Sequence, residues 1–75
     1  MNKKRREAIA QLVKDMEGSR NDLENLIDEE QEAYDNLPEP LQSSMKGDEM
    51  NDCIDCMNDA MSSLDDSLSY LGDLC

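Results

Sequence analysis

Four consecutive copies of one seven-residue pattern fill the second half of this chain: Met50-Asn51-Asp52-Cys53-Ile54, Met57-Asn58-Asp59-Ala60-Met61, Leu64-Asp65-Asp66-Ser67-Leu68 and Leu71-Gly72-Asp73-Leu74-Cys75. Seven residues make about two helical turns and rise about 10.5 Å, so a helix sends Asp52, Asp59, Asp66 and Asp73 out in nearly one direction. The same helix gathers its apolar residues on another face. A strand, with its period of two, would scatter both sets.

The first half repeats the pattern. With heptad position a at Ile9, positions a, d and e from 9 to 37 read Ile9, Leu12, Val13, Met16, Ser19, Arg20, Leu23, Leu26, Ile27, Glu30, Ala33, Tyr34 and Leu37. Only Ser19, Arg20 and Glu30 break the stripe, which predicts a long amphipathic helix over about 3–37. Gly18 weakens its interior, but the phase runs through unchanged and favours a continuous or gently bent helix. Pro38 and Pro40 end it, because neither donates a backbone hydrogen bond and Pro38 disfavours helical geometry at Leu37. A connector over about 38–46, with room for one short turn between Pro40 and Ser44, leads to a second helix over about 47–74. Ser43, Ser44 and Asp48 are candidate caps. Its a, d and e residues are Met50, Cys53, Ile54, Met57, Ala60, Met61, Leu64, Ser67, Leu68, Leu71, Leu74 and Cys75.

The expected fold is all-α: one antiparallel, coiled-coil-like helical hairpin spanning 1–75. Seventy-five residues lie near the lower limit for a self-sufficient core. A stripe three positions wide exceeds the seam of two helices, so the open face closes either as a homodimeric four-helix bundle or on another protein. Pairing about residue 42 would bring Ser19 and Arg20 level with Ser67, a polar layer able to set register. The high charge and absence of Phe and Trp resemble a disordered composition, but the periodicity of both halves overrules that reading.

Charge carries most of the functional information. The net charge is -12, with 7 basic and 19 acidic residues. Lys3, Lys4, Arg5 and Arg6 hold four of the positive charges, so residues 7–75 set 3 positive against 19 negative. After Lys46 the second helix has no cation, and after Glu49 every acid is Asp, a poorer helix former than Glu. Stability alone would favour mixed signs and Glu. A rod of unpaired negative charge instead suits a basic groove that ordinarily takes DNA or RNA, and it disfavours direct nucleic-acid binding. The basic start opposes the helix dipole and is expected to pair with Asp65, Asp66, Asp73 and the terminal carboxylate. A basic arm on an acidic partner is the alternative.

Several chemistries lack their residues. There is no histidine, no phosphate-binding glycine loop and no calcium loop, which points away from an enzyme. Cys53-Ile54-Asp55-Cys56 has C-x-x-C spacing but lies inside a helix, so Cys53, Cys56 and Cys75 read as small core residues and free thiols rather than as a redox or zinc site. Met45, Met50, Met57 and Met61 read as gap-filling core, or as an adaptable contact if the face is open. No cofactor or metal is expected. No segment is apolar enough to cross a bilayer, and Met1–Arg6 lacks the features of a secretory signal.

The connector Glu32-Ala33-Tyr34-Asp35-Asn36-Leu37-Pro38-Glu39-Pro40-Leu41-Gln42-Ser43-Ser44, with Gly47 and Met50 after it, resembles that of short acidic two-helix proteins from bacterial phages and mobile elements, a group with no assigned chemistry. The basic start and second-helix heptads are similar too. The resemblance implies a mobile-element setting, the cytoplasm of a bacterial host, and blockade of a host nuclease or defence protein. Together these readings predict a non-enzymatic acidic interaction protein. Its partner would be a protein with a basic surface, bound through Asp52, Asp55, Asp59, Asp66 and Asp73 on the second helix and Glu24, Asp28 and Glu32 on the first. The alternative is a structural homodimer, a four-helix bundle serving as scaffold or assembly factor.

Overall fold

A computed structural model describes residues 1–74, and every element in it is helical: α1 Lys3–Asp35, α2 Glu39–Gln42 and α3 Met45–Gly72. The described residues contain no strand. Helix α1 starts where Asn2, in extended conformation, accepts a hydrogen bond from the Arg5 N–H through Oδ1 at 2.9 Å. It continues unbroken through Gly18. A methyl group added there would meet nothing within 4 Å. Gly18→Ala is therefore expected to stabilise the protein by about 1 kcal/mol through helix propensity alone, as urea denaturation would record.

The helix bounds differ from expectation by about two residues, and the reason lies in the connector. Helix α1 closes at Asp35, and the chain makes the single turn α2 between Pro38 and Ser43. The Gln42 amide then reaches back and donates to the carbonyls of Tyr34 at 3.1 Å, Leu37 at 3.0 Å and, more weakly, Asp35 at 3.4 Å. Tyr34 and Asp35 lie in the last turn of α1 and Leu37 just beyond it; the Tyr34 carbonyl also accepts from the Leu37 N–H at 3.0 Å. Helix α3 begins earlier than the heptad pattern, at Met45, after an extended Ser44. The Ser44 hydroxyl donates to the Leu41 carbonyl instead of capping α3. At buried Gly47, α2 passes so close that a Cβ would lie 2.1 Å from the Gln42 carbonyl oxygen and 2.8 Å from that of Leu41.

Helices α1 and α3 pack side by side in a rod 58 × 15 × 12 Å. Only part of the apolar stripe forms the seam. Ile9, Val13, Met16, Arg20, Leu23, Ile27, Glu30, Tyr34 and Leu37 are the shielded positions of α1, in strict four-three alternation. Met50, Ile54, Met57, Met61, Leu64, Leu68 and Leu71 answer them from α3. These are heptad positions a and e. The d residues Leu12, Ser19, Leu26, Ala33, Cys53, Ala60, Ser67 and Leu74 are exposed, because two helices close a seam two positions wide and the third falls on its flank. The expectation that Cys53 and Cys56 are core residues is corrected on this ground: both are exposed, free thiols. Cys75 lies outside the described residues. Only Ile27 and Ile54, at 8% and 6% exposure, form a buried apolar core.

Candidate acidic interface

Register along the rod is set by one side chain. Arg20, at a seam position, donates from Nε to Asp65 Oδ1 at 2.8 Å and from Nη1 to Glu24 Oε2 at 2.6 Å. The hydrogen bond and charge of Asp65, with a smaller contribution from Glu24, push the guanidinium pKa above its ordinary value. The expected polar layer of Ser19, Arg20 and Ser67 does not form: Arg20 takes Asp65 as its partner across the seam, and Ser19 and Ser67 stand exposed on the flank. The reason is direction: Asp65 and Glu24 occupy heptad position b, on the edge of the seam opposite d.

That contact orients both edges of the hairpin. Antiparallel helices place like flanks together, so b residues of α1 and α3 share one edge and d residues share the other. The b edge carries Glu17, Glu24, Gln31, Asn51, Asn58 and Asp65. The d positions carry no charge from Leu12 to Ala33 or from Cys53 to Leu74, while exposed Asp15, Asp22 and Glu29 stand at the adjoining g positions of α1.

Of the eight acids expected at the site, Glu24, Asp28 and Glu32 on α1 and Asp52, Asp55 and Asp59 on α3 lie in the connector-proximal half of the rod, and all six are exposed. They occupy outer heptad positions, Glu24 at b, Asp28 and Asp55 at f, and Glu32, Asp52 and Asp59 at c, so the c acids of α1 and α3 face away from each other on opposite sides of the rod. Asp66 and Asp73, also exposed, continue the file along the outer face of α3 toward the open end. Among the described residues Glu24 and Asp65 alone have a cationic partner, and both share Arg20. No three carboxylates or thiols converge closely enough to hold a metal ion among the described residues.

The expected pairing of the basic start with Asp65, Asp66 and Asp73 does not form, while the terminal carboxylate of Cys75 lies outside the described residues. Lys3, Lys4, Arg5 and Arg6 are exposed and make no ion pair among the described residues. Sequence reasoning missed Gln42 and the packing role of Gly47. A lone glutamine carries no positional signal, and Gly47 looks like a flexible linker residue until α2 is seen to cross it.

No family model, curated protein or solved structure matches this chain. No helix among the described residues is long and apolar enough to cross a membrane.

Proposed function

We propose that this chain is a non-enzymatic acidic interaction protein that occupies a basic, nucleic-acid-binding surface on another protein. The observation that supports the reading is the set of exposed acids at outer heptad positions of both helices, Glu24, Asp28 and Glu32 on α1 and Asp52, Asp55, Asp59, Asp66 and Asp73 on α3. Its carboxylates are exposed, and Arg20 is the one cation bonded to any of them among the described residues. Like charges held on rigid helices repel one another, and a basic groove relieves that repulsion while releasing its own counterions. The charge is sparser than the roughly one per 1.7 Å of duplex DNA, so the array imitates a stretch of backbone without reproducing every phosphate. The resemblance to short acidic proteins of phages and mobile elements directs this proposal toward a host nuclease or defence protein as the target, in the cytoplasm of a bacterial host.

The test is capture from native-host lysate at low and high salt, followed by competition between the chain and nucleic acid for the captured protein. Wild type is expected to recover a basic protein at low salt, release it at high salt, and displace its nucleic acid. Asp52→Asn with Asp59→Asn and Asp66→Asn is expected to weaken that competition at least about tenfold, since each exposed charge contributes on the order of 0.5 kcal/mol. Equal competition by the triple variant at both salt concentrations would overturn the proposal.

A further inference from the structure

We infer that Cys53, Cys56 and Met57 form a binding site for a soft monovalent metal ion, copper(I). The site goes beyond the acidic reading, which uses none of these side chains. Of the nine Cys and Met residues in the chain, six fall between residues 45 and 61, and the chain has no histidine. Packing accounts for part of this sulfur, since Met50, Met57 and Met61 are half-buried along the seam. It does not account for Cys53 and Cys56, which are exposed, free thiols in the interior of α3.

Helical spacing puts the three sulfur side chains on one flank. Cys53 and Cys56 stand three residues apart at adjoining d and g positions of α3, a spacing that sets Cβ atoms about 5–6 Å apart. That is too wide for a disulfide, whose Cβ atoms lie about 3.5–4.5 Å apart, so a bridge between them would distort the helix. It suits an ion held between the two sulfurs, because two metal–thiolate bonds of about 2.3 Å set them about 4.6 Å apart. Met57 lies four residues after Cys53 and next to Cys56. Helical side chains lean toward the N-terminus, which carries its thioether toward the turn that holds both thiols, whereas Met50 precedes that turn and leans away from it.

The donor set selects the metal. Two thiolates and a thioether are soft ligands that favour copper(I), and two or three sulfurs complete its coordination. Zinc takes four ligands, and no three thiols or carboxylates among the described residues come together to supply them. Binding forms two copper–thiolate bonds and releases both thiol protons to water, so the loaded site gains one negative charge and holds the ion more tightly as pH rises.

The test is anaerobic titration of the reduced full chain with copper(I) alone, in competition with the chromophoric chelator bicinchoninate. Wild type is expected to load one copper per chain, with thiolate-to-copper absorption in the ultraviolet, and to lose affinity as pH falls. Cys53→Ser with Cys56→Ser should abolish both loading and absorption, and Cys75→Ser should leave both unchanged. Met57→Leu, which nearly conserves side-chain volume, should lower the affinity about tenfold with the helical circular-dichroism signal unchanged. Loading that persists in the Cys53→Ser, Cys56→Ser variant, loading that is lost with Cys75→Ser alone, or failure of the wild type to take copper from the chelator would overturn the inference.

Discussion

Ile54→Asp is expected to abolish the helical circular-dichroism signal of the protein at room temperature, whereas Cys53→Ser beside it leaves the signal and the melting curve unchanged. The two residues are adjacent in sequence, but Ile54 is 6% exposed in the seam and Cys53 is open to solvent. A domain of 75 residues has about 4–11 kcal/mol of stability in total. Removing a buried isoleucine costs about 2–5 kcal/mol, and leaving an unpaired carboxylate in its place adds to that. Because Ile27 and Ile54 are the only buried apolar side chains among the described residues, no other layer compensates. A folded Ile54→Asp variant would mean that the helices are held together by something other than this seam.

Gly47→Ala is expected to destabilise the protein by about 2–3 kcal/mol, the reverse of the effect of the same substitution at Gly18. Helix propensity favours alanine at both positions by about 1 kcal/mol. At Gly47 the methyl carbon would meet the Gln42 carbonyl oxygen at 2.1 Å and its carbonyl carbon at 2.6 Å, and backbone atoms cannot rotate aside as a side chain would. Helix α2 must lift, which draws the Gln42 amide away from the carbonyls of Tyr34 and Leu37. Paired urea titrations of the two alanine variants measure the contrast directly. Stabilisation by both would show that the connector is free to move off α3.

How much of this was legible in the sequence depends on the range of the interaction involved. The two long helices, their turn at Pro38–Ser44 and the outward file of Asp52, Asp59, Asp66 and Asp73 follow from period and from proline chemistry, which act over a few residues. The stripe of a, d and e positions was equally legible, but its division was not. Nothing in Leu12 or Leu26 marks it as exposed while Ile9 and Ile27 are shielded, since all four are apolar and helical. The candidate site shows the same split. Each acid was visible as an outer residue, but that Asp65 bonds Arg20 across 45 residues of chain, while Asp66 beside it stays exposed without a cationic partner among the described residues, was not.

The sequence by itself determined an all-helical chain, a reversal near its middle and a surplus of negative charge on the outer faces, because helix period, proline geometry and side-chain charge are local properties. The tertiary structure alone decided which two-thirds of the apolar stripe became the seam, and that Arg20 pairs with Asp65 while the basic start makes no ion pair among the described residues. Those outcomes rest on how two helices meet: a pair can shelter only a narrow strip, a close crossing at Gly47 sets where the second helix starts, and one arginine between two carboxylates fixes how far each has slid past the other.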